Sequence, residues 1–166
     1  EASLFSAPGM YVEERFLIGS EDGILYCLDA ATGKVLWKYD TKDVIQGSPN
    51  WSGSPGNIRI TLIGQSAGSI HCVELSSGKP IWKIENTNRC DGSPAVSNGQ
   101  LIFGNCDAAV FTISIESGKQ TGKTDLGPEG QVAGSIAVYN DLAFAGTHGG
   151  NVICTDIVNR KIIWSF

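Results

Sequence analysis

CLDAATGKVLW, residues 27–37, decides the fold because it has counterparts further along the chain. CVELSSGKPIW occupies 72–82, TISIESGKQTG occupies 112–122, and CTDIVNRKIIW occupies 154–164. The four copies begin 45, 40 and 42 residues apart. Similar segments at such a period mark an array of like supersecondary units.

Working outward, each copy follows a short apolar run ending in Gly: RFLIG (15–19), RITLIG (59–64), QLIFG (100–104) and DLAFAG (141–146). Before these runs stand small-residue segments, SAP (6–8), GSP (47–49), GSP (92–94) and GSI (134–136). Each unit therefore reads as four short strands. The first starts at Ser-x-Pro, the second ends at Gly, the third carries an acidic residue and the fourth ends at Trp. Aliphatic, aromatic and β-branched runs broken by Gly, Asn, Asp and Ser are strand signals. No window carries a 3.6-residue apolar stripe of helix length. Four-stranded units of this length predict an all-β propeller whose blades span about 6–37, 47–82, 92–122 and 134–164. The third strand of the first unit, ILYCLDA, is apolar on both faces, as a blade packed between two others requires.

The unit AxDxxxGKxxW, with its Gly-Ser-Pro segment, resembles the pyrrolo-quinoline-quinone-type (PQQ-like) propeller repeat. The first unit matches through Asp29, Gly33, Lys34 and Trp37, and the second through Glu74, Gly78, Lys79 and Trp82. Within that class it looks closest to the non-enzymatic BamB-like bacterial propellers. The resemblance implies a propeller of seven or eight blades, so these four would be half of an eight-bladed ring. It also implies a periplasmic, cell-envelope or secreted location.

The motif has a physical reading of its own. Trp on an outer strand can stack on the neighbouring unit's turn, and Gly there lets the ring approach the backbone. An acid beside a tight turn accepts backbone N–H bonds. Asp29, Gly33, Trp37, Glu74, Gly78, Trp82, Asp156 and Trp164 are therefore assigned to architecture. The third and fourth units depart from the pattern: Gly122 stands in place of Trp, Thr112 in place of Cys, Ser114 in place of the acid, and Asn159-Arg160 in place of Ser/Thr-Gly.

Composition excludes several function classes. The 166 residues carry a net charge of −5 with no Lys/Arg cluster, which argues against nucleic-acid binding. No apolar run reaches the length of a membrane-spanning helix. The first strands carry no charged residue to hold a quinone or its cation, and no Cys-Cys pair is present. No cofactor and no metal are expected. His71 falls on an apolar strand position and reads as a packed histidine. Cys27, Cys72 and Cys154 share one buried position. Cys90 and Cys106 fall at the same end of the third unit and are a candidate disulfide.

Loops at that end gather Glu21, Asp22, Asp91, Asp107, Glu129 and His148, the best candidates for a partner-binding rim. The expectation is a non-catalytic scaffold that binds a protein partner through rim loops. The alternatives are part of a quinone-dependent dehydrogenase, or a carbohydrate- or small-ligand-binding propeller. An open arc of four blades would leave two apolar faces bare, which a homodimer closing the ring would cover.

Overall fold

A computed structural model describes residues 3–85, 87–132 and 134–166. The described residues form sixteen strands, arranged as four antiparallel four-stranded sheets in sequence order. The first blade contains β1 (Met10–Val12), β2 (Arg15–Gly19), β3 (Ile24–Asp29) and β4 (Val35–Asp40). The second contains β5 (Asn50–Ser54), β6 (Asn57–Ile63), β7 (Ile70–Glu74) and β8 (Pro80–Ile84). The third contains β9 (Ala95–Ser97), β10 (Gln100–Asn105), β11 (Ala109–Ser114) and β12 (Gln120–Asp125). The fourth contains β13 (Ala137–Tyr139), β14 (Leu142–Gly146), β15 (Val152–Asp156) and β16 (Lys161–Ser165). This is an all-β, four-bladed PQQ-like propeller segment.

The same register recurs in every blade. Cys27 faces Trp37, Cys72 faces Trp82, Thr112 faces Gly122 and Cys154 faces Trp164. A β-bulge follows each pair on its third strand, between Cys27/Leu28, Cys72/Val73, Thr112/Ile113 and Cys154/Thr155. Such a bulge bends and re-aims the strand locally. Asn98 and Gly99, at φ 48° and 71°, close the hairpin between β9 and β10 in the conformation a two-residue turn requires.

Blade-to-blade packing makes the core. Leu17, Leu25 and Cys27 meet Ile58, Ile60 and Leu62 at the first seam. Ile70 and Cys72 meet Leu101, Phe103 and Ile113 at the second. Ile102 and Val110 meet Ala143, Ala145 and Ile153 at the third. Each large aliphatic side chain so buried contributes roughly 1.5–3 kcal/mol.

The small-residue segments do not themselves begin the first strands, which start one residue after the Pro or Ile at β5, β9 and β13. They form a ladder from blade to blade. Ser48 N donates to Ser93 Oγ at 2.8 Å, and Ser93 N donates to Ser135 Oγ at 2.9 Å. Gly47 and Gly92 lie so close to the next segment that a Cβ would stand 2.7 Å from Gly92 O and 2.2 Å from Gly134 O. Small residues are needed here because successive backbones touch.

Trp37 lies on the Gly78 turn of the second blade, and its Nε1 donates to Leu75 O at 2.9 Å. Trp82 repeats the arrangement on Gly118, donating to Ile115 O at 2.9 Å. The acids organise the turns themselves. Asp29 Oδ1 accepts from Thr32 N and Oγ1, Glu74 accepts from Ser77 Oγ, and Asp156 Oδ1 accepts from Val158 N and Asn159 N. Gly33 and Trp164 occupy the corresponding places at the two ends. Nothing lies within 4 Å of a Cβ built on Gly33, and Trp164 is 44% exposed.

Candidate partner-binding rim

At one end of the blades, the loop joining the second and third strands meets the connections between blades. These segments are tied by a repeating hydrogen-bond pattern. Glu21 N donates to Leu4 O, Gln65 N to Val44 O, Cys106 N to Arg89 O, and His148 N to Gln131 O. The next connection then returns a bond: Ile45 N to Ser20 O, Cys90 N to Gln65 O, and Val132 N to Asn105 O. The alternation makes a continuous backbone belt across all four blades. Rim loops tied this way hold their side chains on a fixed platform rather than on independent tips.

The candidate carboxylates stand on this belt. Asp22 accepts from Ser20 Oγ and, at 2.6 Å, from Ser3 Oγ. The Ser20 bond, then the Ser3 bond, hold its pKa below the usual carboxylate range. Asp91 Oδ1 accepts from Gln65 Nε2 at 2.6 Å and from Arg89 Nε at 2.8 Å. Partial burial raises its pKa, but these bonds together with the Arg89 charge outweigh that, and the net shift is downward. Asp107 accepts from Asn88 Nδ2 at 2.7 Å and from Asn105 Nδ2 at 3.2 Å. Glu129 reaches Gly149, where a Cβ would stand 3.2 Å from its Oε2. His148 is near enough to Asp91 to lower its pKa further. Glu21 takes part through its backbone. Asp91 and His148 thus act on one another at the third and fourth blades, Asp107 is tied to Asn88 in the connection that also carries Asp91, and Glu21 and Asp22 sit on the first blade.

Several rim residues carried no sequence signal strong enough to single them out. Asp43 caps the second blade's loop, accepting from Ser66 N at 3.1 Å and Ala67 N at 2.9 Å. Gln65 and Arg89 are the donors that fix Asp91. An acid in a connection opposite a Ser-Ala loop becomes informative only once the two segments are known to touch.

Cys90 and Cys106, the candidate disulfide, are not bonded to one another in this structure. All five cysteines are free thiols. Cys90 is buried, with Sγ donating to Gly104 O at 3.0 Å, and burial pushes its pKa up to about 11. Cys106 is only partly covered. Their backbones are neighbours through the Cys106–Arg89 bond, but the Cys90 thiol is engaged inside the blade. His71 is buried between Tyr39, whose OH lies 2.9 Å from Nδ1, and Ser69, whose Oγ lies 2.9 Å from Nε2. Among the described residues no group of three His, Cys, Asp or Glu side chains converges as metal ligands would, and no helix is long and apolar enough to cross a membrane.

Known proteins share this architecture. BamB from Moraxella catarrhalis superposes with a TM-score of 0.82 at 17% identity, over 98% of this chain and 50% of that one. The chain therefore spans about half the length of that relative. Quinohemoprotein alcohol dehydrogenase from Comamonas testosteroni superposes at 0.80 and 15% identity, over 100% of this chain and 35% of that one. The computationally designed Ika4 protein superposes at 0.75 and 15% identity, over 95% and 93%. At these identities the likeness establishes the fold. No curated protein sequence matches the chain. A family model described as outer membrane protein assembly factor BamB matches residues 4–55 and 21–166, and the chain belongs to that propeller family.

Proposed function

We propose that this chain is a non-catalytic propeller scaffold of the cell envelope that holds a protein partner on the acidic rim. The observation that carries this reading is the belt, which fixes Asp22, Asp91 and Asp107 as hydrogen-bonded carboxylates along one end of the blades. Preorganised charge steers and orients a partner of opposite sign. Such a partner presents a basic surface. Family membership supports the envelope location.

The same reading includes ring completion. The first and last blades each carry half of the seam seen between interior blades, so two copies, or four further blades, would complete an eight-bladed ring. Eight blades built from two equal halves close with twofold symmetry.

Photo-crosslinking in cells tests the partner face. A crosslinker at Glu21, Glu129 or His148 is expected to capture a protein, and one at Ser76 or Glu116, at the opposite end, is not. Capture from the opposite end alone would refute the rim. Dye reduction after addition of quinone and calcium would instead make the chain part of a dehydrogenase.

A further inference from the structure

Two departures from the repeat converge on one groove at the turn end of the blades. The hairpin joining β5 and β6 is longer than its counterparts. Its ladder runs past the Ser52–Arg59 pair to Ser54–Asn57, whereas the others end at Val12–Arg15, Ser97–Gln100 and Tyr139–Leu142. The extension makes Asn57 one wall of a cleft of about 340 Å³ between the second and third blades. On the far side of the β9–β10 hairpin, Gly122 takes the tryptophan position, and a second cleft of about 320 Å³ opens there. Asn98 and Gln100 line both clefts, so the two are lobes of one groove across the second, third and fourth blades. The counterpart between the first two blades, walled by Arg15 and Ser76, is only about 110 Å³. Each large lobe falls within the roughly 300–1,000 Å³ of small-ligand sites.

The polar groups of the groove are fixed by bonds of their own. In the first lobe Arg59 Nη1 donates to Ile115 O at 2.9 Å and to Glu116 O at 2.8 Å. In the second, Arg160 Nη2 donates to Thr121 O at 2.8 Å, so its side chain spans Gly122 and walls the lobe. Thr121 Oγ1 donates to Gln100 Oε1 at 2.6 Å, and Thr112 Oγ1 lies 3.0 Å from Thr121 Oγ1. The Thr121 bond holds the shared Gln100 carboxamide in one orientation and leaves its Nε2 as a donor. Asn98 is set at φ 48° in the hairpin turn and is exposed. Groups held in place before a ligand arrives lose less freedom when it binds.

The lining selects among ligand classes. Arg59 and Arg160 are offset by Glu116 and Asp141, so net charge favours neither an anion nor a cation. The groove crosses hairpin ends rather than following a strand edge, so it offers no row of backbone groups to an extended peptide. Carboxamide, hydroxyl, carboxylate and guanidinium groups supply donors and acceptors together, and Ile115, Ile157 and Val158 add short apolar stretches of wall. A ligand suited to this lining is uncharged, has hydroxyls at its edges and C–H groups on its faces, and reaches from one lobe to the other. We infer that the groove binds a neutral oligosaccharide, with sugar rings in both lobes and the Asn98 and Gln100 carboxamides at the link between them. The site lies at the opposite end of the blades from the rim and does not depend on the rim reading.

The test is an amide NMR titration of the intact protein with maltotriose, cellotriose and triacetylchitotriose, each separately, and with a blocked Ala-Ser-Asn-Ala peptide. At least one trisaccharide is expected to shift the Asn98, Gln100 and Thr121 resonances saturably, with Kd of about 1 mM or tighter. The matching monosaccharide should bind at least tenfold more weakly, because it fills one lobe. Asn98→Gly keeps the hairpin turn and removes the carboxamide, and should weaken the trisaccharide by roughly three- to tenfold without lowering the melting temperature. Asn57→Ala in the first lobe and Asp141→Ala in the second should each weaken it by a similar factor. Lys34→Ala, on the turn of the first blade, should leave binding unchanged. A loss from only one of the two lobe variants, or a monosaccharide as tight as the trisaccharide, would overturn the two-lobe site. Saturation by the peptide and by none of the sugars would overturn the sugar assignment in favour of a polypeptide. No saturable shift with any probe would overturn the groove as a binding site.

Discussion

Trp37 presses on Gly78 so closely that a Cβ at residue 78 would stand 2.6 Å from Cε3 of the indole. Gly33, at the same turn position of the first blade, has nothing within 4 Å of its Cβ site, although its φ of 70° matches the 69° of Gly78. The two glycines therefore separate backbone strain from contact. Gly33→Ala is expected to cost about 1 kcal/mol, the left-handed term alone. Gly78→Ala adds overpacking against the indole and is expected to cost about 2–4 kcal/mol. Urea denaturation of both variants checks this. Equal losses would mean that the Trp37 contact contributes no constraint.

His71 makes stability depend on acid. Burial, and then the Lys83 charge, depress its pKa to about 4 from the ordinary 6.5. The unfolded chain therefore binds a proton that the folded chain refuses between about pH 6.5 and 4. The stability from a neutral His71 is fully present above 6.5 and is lost as pH falls through that window. Between pH 7 and pH 4.5 the loss is about 2 kcal/mol. Carboxylates contribute equally to a His71→Asn variant, so the difference between the two pH profiles isolates the histidine. Parallel profiles would show that His71 does not stay neutral in the fold.

The cysteines should divide by access. Cys27, Cys72, Cys90 and Cys154 are buried, and burial raises the Cys27 and Cys72 thiols to about 11 and about 12. Thiolate is the reacting form, so these groups are inert in the folded state. Cys106 alone should alkylate with iodoacetamide under native conditions, and all five after unfolding. Mass spectrometry of the native, unreduced protein reads the count. Rapid modification of Cys90 would mean that its bond to Gly104 O opens readily.

Repetition made the fold legible in the sequence, because the Gly-Lys-x-x-Trp segments and the Gly-ended runs mark equivalent places in every blade. The same comparison exposed Gly122, Thr112 and Asn159-Arg160 as departures. What it did not expose is that Gly122 and Arg160 belong to different blades and meet across one seam, 38 residues apart in sequence but with Arg160 Nε 3.4 Å from a Cβ site. The candidate Cys90–Cys106 pair shows a related gap. Strand order places Cys90 and Cys106 at one end, but it does not report which way a thiol turns, and Cys90 turns inward to Gly104 O. The rim carboxylates were visible as loop residues, whereas their donors, Gln65, Arg89 and Asn88, come from connections whose contacts only the folded chain defines.

The rim reading predicts a salt-sensitive association. The Asp91 and Asp107 side chains are held by neutral or cationic donors. Reversing Asp107 and Glu129 to Lys should weaken partner capture by tenfold or more while leaving the melting temperature nearly unchanged, because both residues are exposed. Raising salt from 50 to 500 mM should weaken the wild type in the same direction, since exposed charge interactions are screened. Capture insensitive to both changes would move the interface elsewhere.

The last prediction concerns the two unmatched blade ends. Trp164 has the register of Trp37 and Trp82, facing Cys154 as they face Cys72 and Cys27 in their own blades, and it tilts against Phe144 at 6.0 Å. Val152, Ile163 and Phe166 are exposed on the same blade at 43%, 46% and 90%. At the other end the Gly33 turn is bare, and Ala30 O stands where Leu75 O and Ile115 O accept an indole N–H. A seam made from Trp164 and Gly33 would bury the apolar edge and repeat the interior geometry, with Trp164 Nε1 donating to Ala30 O. Light scattering of the isolated 166-residue chain is expected to give a dimer. Trp164→Ala and Gly33→Glu remove opposite sides of the same contact, so each alone should yield a folded monomer, and the two together should do no more than either. Because a twofold ring contains the contact twice, either change breaks both copies of it. A wild-type monomer at high micromolar concentration, with Trp164 emitting as a solvent-exposed indole, would show that the end seam does not form between copies.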